Sequence, residues 1–228
     1  MTVLKTPFAI IGSGRVASSL GRVLRERGAP LQWIAGRDPH HTRVAADFIG
    51  GVETLPLESV PGVASSVLLA VSDTAIVEVA QRLASAGFED GVALHTAGSC
   101  GPDALAPLAA KGVSTGVLYP MQTFPTPARG ALSLPGTYFA VTGDQRAAGW
   151  ARQIVNLIPG NFLSLEPKQW TLCHVAAVMA SGSRSTPTTL CTPDSSNARL
   201  CPPPPSVQSS TRFAPPRSSI VSAASTGA

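Results

Sequence analysis

The chain is poor in aromatic residues and poor in charge: Phe, Trp and Tyr make up 5% of its 228 residues, and Asp, Glu, Lys and Arg only 13%. A nucleic-acid groove needs basic side chains interleaved with stacking aromatics in quantity. Nucleic acid is therefore not an expected partner, despite a formal net charge of +4. The placement of that charge agrees. Residues 182–228 carry four Arg (Arg184, Arg199, Arg212, Arg217) and one Asp, a net of +3, which leaves +1 (4 − 3) for everything before them. No apolar run approaches the ~20 residues of a membrane-spanning helix; Val67 to Val71 and Val175 to Ala180 are runs of core length. No membrane partner is expected. The opening Met1-Thr2-Val3-Leu4-Lys5-Thr6-Pro7 has a single Lys, and Gly12 soon interrupts the apolar stretch after it, which is not the pattern of a secretory leader. Cysteines are few as well. Cys100, Cys173, Cys191 and Cys201 form no Cys-x-x-Cys pair, so no metal site and no disulfide framework is expected. Reduced thiols in a cytoplasmic protein are the expectation. His-Glu-x-x-His, Gly-x-Ser-x-Gly, a Walker loop and paired catalytic carboxylates are all missing, which removes the support for hydrolase and kinase chemistry.

What is present is a long alternation of apolar segments with amphipathic ones, between Pro7 and about Ala180. Phe8 to Ile11 reads as a first strand. Arg15 to Arg27 reads as a helix with Val16, Leu20, Val23 and Leu24 on one face and Gly28 at its end. Leu31–Ala35 is a strand, His41–Phe48 a helix, and a short strand lies near Val52. Ser66 to Val71 is apolar almost throughout, as a parallel strand buried on both faces should be. Helices are expected over Thr74–Ala86, Asp103–Ala110 and Gln145–Leu157, and strands over Val92–Thr96, Val113–Tyr119, Tyr138–Thr142 and Phe162–Leu165. Helix resumes around Lys168. Strands alternating with helices imply an α/β fold with a doubly wound, mainly parallel sheet.

The pattern stops after Ser181. Residues 182–228 hold eight Pro, eleven Ser, no Lys and no Glu, and include Pro202-Pro203-Pro204-Pro205. Such a segment cannot bury enough apolar surface to offset the entropy of ordering it, so disorder is expected. The break is abrupt, because Val175-Ala176-Ala177-Val178-Met179-Ala180 reads as the start of a buried helix. A tail translated out of frame is the expectation; a native Pro/Ser-rich tail is the alternative. The expected division is a dinucleotide-binding domain over 1–165, the start of a helical domain over 166–181, and a tail over 182–228.

Directly after the first strand stands Gly12-Ser13-Gly14-Arg15-Val16-Ala17, a Gly-x-Gly-x-x-Ala match. The first glycine permits the tight turn out of the strand. The second lets backbone N–H groups approach a pyrophosphate at the positive end of the following helix. A small residue at Ala17 lets helix and sheet pack closely. A strand before, a helix after and a second strand about 20 residues on are the context this motif requires. The alternative is a plain glycine turn. Past the second strand, Ala35-Gly36-Arg37-Asp38 bears on the choice of cofactor. An acid here would hydrogen-bond the ribose 2′-hydroxyl of NAD, whereas a guanidinium pairs bidentately with the 2′-phosphate of NADP. Arg37, assisted by Ser13 and Arg15, favours NADP(H); Asp38 keeps NAD open.

The remaining candidates lie at the C-terminal ends of strands, where doubly wound sheets collect ligands. Val71, Ser72 and Asp73 follow the most buried strand, with Asp73 equally suited to capping the next helix. Thr96 and Ser99 lie in His95-Thr96-Ala97-Gly98-Ser99-Cys100-Gly101, a stretch suited to a nicotinamide ribose or to a simple turn. Gln122 and Thr123 are held between Pro120 and Pro125 in what reads as a rigid loop. His174 stands near the start of the last helix, where a lone histidine is as readily structural as catalytic. His40 and His41 read as surface residues.

Taken together, Ile10-Ile11-Gly12-Ser13-Gly14-Arg15-Val16-Ala17, Leu69-Ala70-Val71-Ser72-Asp73-Thr74-Ala75-Ile76, His95-Thr96-Ala97-Gly98-Ser99, Tyr119-Pro120-Met121-Gln122-Thr123-Phe124 and His174-Val175-Ala176-Ala177-Val178-Met179-Ala180-Ser181 resemble one family. It is that of the Rossmann-like NADP oxidoreductases with a C-terminal helical domain of unknown function (domain 2520), distant relatives of pyrroline-5-carboxylate reductase and the F420-NADP reductases. The resemblance covers about residues 7–181. It implies an NADP-linked reductase fold with a substrate generally unassigned; the leading expectation is an NADP(H)-dependent oxidoreductase acting on a small imine or carbonyl, with Ser99, Gln122 and Thr123 positioning substrate and His174 handling a proton. It also implies a helical domain that builds a homodimer and closes the pocket. The departure at Gly182 makes that dimer an impaired one here. The expectation of another class is a module that binds NADP(H) without chemistry.

Overall fold

The computed structural model describes residues 4–182, with the side chains at 167, 178 and 180–182 left aside. From 183 on, the expected tail, with Cys191 and Cys201, lies outside the described residues.

The chain begins with β1 (Phe8–Ile11), α1 (Arg15–Glu26), β2 (Leu31–Ala35), α2 (Pro39–Ile49) and β3 (Glu53–Leu55). It continues through β4 (Ser66–Leu69), α3 (Ile76–Ser85), β5 (Val92–His95), α4 (Ala106–Ala109) and β6 (Ser114–Pro120). Then come α5 (Pro127–Ser133), β7 (Tyr138–Gly143), α6 (Gln145–Leu157), β8 (Asn161–Ser164) and α7 (Trp170–Gly182). The strands form one sheet in the order β3-β2-β1-β4-β5-β6-β7-β8. Neighbours run parallel, except that β6 and β7 are antiparallel. The first six strands thus have the Rossmann order, with the chain direction of growth reversing between β1 and β4.

Alternation along each strand sends side chains to opposite faces. Phe8, Ile10, Leu31, Ile34, Leu68, Leu94 and Leu118 face one core, closed by Leu20 and Leu24 of α1, Ile49 of α2 and Trp150 and Ile154 of α6. Ala9, Ile11, Val67, Leu69 and Ala93 face a second core, closed by Ile76, Ala80 and Leu83 of α3 and by Leu105 and Leu108. Both faces are covered, which is why the strands read as continuous apolar runs rather than as alternating ones.

Local chemistry sets the ends of the helices. Asp38 caps α2 by accepting a hydrogen bond from His41 N (2.7 Å), and Pro39 occupies the first turn. Asp144 caps α6 by accepting from Ala147 N (2.9 Å). Gly28, past the end of α1, takes the left-handed conformation with φ +78°.

Four details differ from the sequence expectation. The segment Asp103–Ala110 forms a 3-10 turn, Pro102–Leu105, followed by the single turn of α4; Pro107, inside the expected helix, has no N–H to donate to the carbonyl four residues earlier. Asp73 does not cap α3: it opens a 3-10 turn, Asp73–Ala75, and caps nothing with its side chain. An additional helix, α5, stands in the crossover between β6 and β7. The helix expected to be buried, α7, docks by Trp170 beside Val117 and Ala140, but leaves Leu172 and Met179 74% and 70% exposed.

Candidate functional site

The phosphate loop is shaped by close approach of backbone. Gly12 has φ +122°, and a Cβ there would collide with the carbonyl oxygen of Ala70. Its N–H donates to Ala35 O (2.7 Å), while Ala70 N donates to Ile11 O (2.7 Å). The turn is thereby clamped between β2 and β4, at the switch point of the sheet. Gly14 is the N-cap of α1 with no side-chain cap, and a Cβ built on it meets nothing within 4 Å. The first N–H groups of α1 therefore carry no side-chain cap, which leaves them available to an anion. Ala17 is fully buried under the sheet, and Val16 packs against the same core.

Beside this loop lies a cavity of about 660 Å³, a volume typical of small-molecule sites. Gly12, Ser13, Gly14, Arg37, Val71 and Ser72 line it, so six of the cofactor residues proposed from sequence share one wall. Arg15, Val16, Ala17, Asp73 and Thr96 do not line it. Arg15 instead reaches the loop after β6, its Nη1 donating to Pro125 O (3.4 Å). Thr96 is buried, and its N–H donates to Leu69 O (3.0 Å). The cavity also recruits Thr42 and Arg43 from α2, Leu55 at the end of β3, Pro56 and Leu57 after it, and Glu58, Glu78 and Arg82. Sequence reasoning missed these residues. The helical period of α2 could have flagged Arg43 as lying on the exposed side, but not as facing a ligand site. Glu58 accepts from Arg82 Nε (3.1 Å) and Nη2 (2.5 Å), and that pairing holds its carboxyl below the ordinary value.

Asp38 is exposed, but its carboxylate is engaged. The His41 N–H donates to it at 2.7 Å, and the His41 ring nitrogen stands 3.6 Å away. The backbone hydrogen bond, with the two neighbouring histidines, lowers its pKa.

The four residues named for chemistry stand apart from this cavity. Ser99 donates to a carboxylate oxygen of Asp73, which ties the loop after β5 to the loop after β4. Gln122 is held by its own loop and by the end of α5: its Oε1 accepts from Thr123 N (2.8 Å), its Nε2 donates to Ser133 O (3.4 Å), and its backbone N–H donates to Pro120 O (2.8 Å). Thr123 is exposed beside it. His174 lies on α7, its ring 5.6 Å from that of Tyr119 in an edge-on arrangement. A Cβ on Gly98 would come within 2.5 Å of His174 Nδ1 and 2.6 Å of the Tyr119 ring, so the glycine makes room for both. Trp170 Nε1 donates to Gly98 O (2.9 Å) and completes this packing. His174 Nδ1 is buried and has no hydrogen-bond partner among the described residues. Burial first, then the neighbouring Cys173 and Asp73, raise the Tyr119 pKa.

His95 anchors the same region structurally. Its side chain is fully buried; Nε2 donates to Gly101 O (3.0 Å) and Nδ1 accepts from Ala97 N (3.3 Å). Both nitrogens are satisfied by a neutral ring. Burial pulls its pKa down, against the hydrogen bond to Gly101 and the charge of Asp73. Among the described residues no group of three His, Cys, Asp or Glu is placed to hold a metal ion, and no helix is long and apolar enough to cross a membrane.

Sheet order and glycine turn together define a Rossmann fold with a cavity beside its first turn, and the chain belongs to the family of Rossmann-like domains, which it matches over residues 3–120. No curated protein matches the chain. Among solved structures it is similar to a candidate NADP oxidoreductase from Bacteroides fragilis, at 24% identity with a TM-score of 0.68, covering 78% of this chain and 68% of that one. It is also similar to prephenate dehydrogenase from Aquifex aeolicus in complex with hydroxyphenyl propionate and NAD+, at 17% identity with a TM-score of 0.61, covering 79% and 70%. A third is a pyrroline-5-carboxylate reductase from Coxiella burnetii, at 16% identity with a TM-score of 0.61, covering 75% and 63%. At these identities the likeness is one of fold. The chain spans about two thirds of the length of these proteins.

Proposed function

We propose that this protein is an NADP(H)-dependent oxidoreductase of the group carrying the helical domain of unknown function, acting on a small imine or carbonyl substrate. The observation that carries the cofactor assignment is the pairing state of two adjacent residues. Arg37 lines the cavity with no partner among the described residues, while the Asp38 carboxylate is engaged as the cap of α2. A guanidinium free to meet a 2′-phosphate suits NADP(H), and the Asp38 carboxylate, turned onto the His41 N–H, is not among the residues that line the cavity.

The residues fit such a group. Gly14 leaves the first turn of α1 without a side-chain cap, so its N–H groups are available to the pyrophosphate, and Ser13 borders the cavity. The cofactor, when bound, supplies or accepts the hydride. The protein's own part is to bind and orient it, and to exclude water with the loop over 120–126. Ser99 positions substrate from the end of β5, and Gln122 and Thr123 do so from that loop. His174 is the group that holds a proton, at its unpartnered Nδ1.

A second reading is a module that binds NADP(H) without turnover. It is favoured by the engagement of Ser99 with Asp73 and of the Gln122 amide with Thr123 N and Ser133 O, which draws on the polar atoms that substrate would need.

Fluorescence titration of the full chain with NADPH and with NADH tests the first reading. NADPH is expected to bind the tighter. Arg37→Ala is expected to weaken NADPH by about 10-fold or more, as for loss of a charged hydrogen bond, and to change NADH by less than about twofold. Equal weakening of both sinks the cofactor assignment. Turnover of any member of a panel of imines and ketoacids excludes the second reading.

A further inference from the structure

Three arginines line the cavity beside the phosphate loop: Arg37, Arg43 and Arg82. Their pairing states differ. Arg82 is engaged, with two of its nitrogens on Glu58 Oε1. Arg37 and Arg43 make no hydrogen bond or ion pair among the described residues. With Glu58 and Glu78 the cavity wall holds five charged side chains, a net of +1 (3 − 2). Once Glu58 and Arg82 are set against each other, two unpartnered guanidinium groups remain against one carboxylate. Two unpaired cations on one wall repel each other unless an anion comes between them, and a phosphate dianion is the group that does so best.

Their placement in the chain gives this pairing its geometry. Arg37 leaves β2 just before the Asp38 cap, and Arg43 follows on α2, six residues later. The cap keeps the Asp38 carboxylate on the His41 N–H, and Thr42, between them, donates its hydroxyl to Asp38 O (2.6 Å). Asp38 is not among the residues that line the cavity, so its carboxylate is not on the wall that Arg37 and Arg43 share. Arg37, from the loop before α2, and Arg43, from its second turn, thus line the same cavity.

We propose that Arg43 is the second arm of a two-arginine clamp on the 2′-phosphate of NADP(H), and so a determinant of the choice between the two nicotinamide cofactors. This rests on the NADP(H) reading above. Arg37 approaches from the end of β2 and Arg43 from α2, so the phosphate is held on two sides, and neither arginine by itself accounts for the full preference.

The test titrates the full chain and its Arg43→Ala, Arg43→Gln and Arg37→Ala variants with NADPH, NADH, adenosine 2′,5′-bisphosphate and 5′-AMP. Arg43→Ala and Arg43→Gln are both expected to weaken NADPH and the bisphosphate by about 10-fold or more and to leave NADH and 5′-AMP within about twofold. Loss of a phosphate contact also flattens the salt dependence of NADPH binding. Arg43 is exposed, so its variants are expected to melt as the parent does. Unchanged NADPH binding in both Arg43 variants, while Arg37→Ala loses it, overturns the clamp and leaves the cofactor reading standing. A parent chain with no preference for NADPH over NADH overturns that reading, and the clamp with it.

Discussion

His95 and His174 lie in one region and stand in opposite conditions. His95 has both ring nitrogens satisfied inside the protein, whereas His174 has a buried Nδ1 with no partner among the described residues. The first is built for stability. Burial lowers the His95 pKa below its ordinary 6.5, so between those two values the unfolded chain binds more protons than the native one. Stability from this group is therefore complete above pH 6.5 and is lost as the pH falls through the window beneath it. Urea denaturation of the parent and of His95→Gln at a series of pH values checks this. The variant is expected to be less stable at pH 8 but to lose less on acidification. A parallel decline in both would remove His95 as the cause. The sequence placed Thr96 and Ser99 near a ligand but could not show that His95, one residue earlier, ties down the loop that carries them. That depends on Gly101 and Ala97 folding back over the ring.

At the scale of elements, the loop over 120–126 and α5 form a unit braced on α1. Ser19 donates to Pro127 O (3.0 Å), Arg15 to Pro125 O (3.4 Å), and Phe124 packs on the core. Gly130 lets α5 come this close: a Cβ there would collide with Ser19 and would reach Phe124 Cδ1 at 2.5 Å. Gly130→Val is expected to cost about 1–3 kcal/mol by overpacking. Gly149→Ala, on the open side of α6 with nothing within 4 Å, is expected to gain up to about 1 kcal/mol through helix propensity. Denaturant midpoints of the two variants measure this contrast, and equal effects would refute the tight contact between α1 and α5. The sequence did not signal α5, because a seven-residue helix with a Gly inside it carries little apolar period. Thr126, its N-cap, followed by Pro127, was the available signal; Thr126 accepts from Arg129 N (3.2 Å).

For the whole molecule, the phosphate loop joins β1 and α1 at the centre of the sheet, so anything held there stabilises both cores at once. A ligand that binds only the folded state adds about 2.7 kcal/mol at a hundredfold excess over its Kd. For a domain of this size that corresponds to a rise in Tm of about 5–10 °C. Thermal melts are expected to show such a rise with NADPH and a smaller one with NADH at the same concentration. The absence of a shift with either would count against the Rossmann site as a cofactor site. Much of this architecture was legible beforehand. The extents of β1, β2 and α6 coincide with those read from apolar periodicity, and the other strands agree to within a residue or two, because buried strands and amphipathic helices leave a local pattern. The Gly12–Ala17 turn was legible for the same reason, since its requirements are met by six consecutive residues. Other features had no local trace. The antiparallel setting of β7 depends on α5 returning the chain to the same end of the sheet. The capping of α2 by Asp38, the turning of Arg43 toward the cavity, and the exposure of Leu172 and Met179 on α7 likewise depend on which surfaces meet. Sequence alone determined the elements and the phosphate turn, because these follow from the spacing of side chains along a single segment. Only the tertiary structure decided which polar groups remain unpaired and face the cavity, because that depends on contacts between segments far apart in the chain.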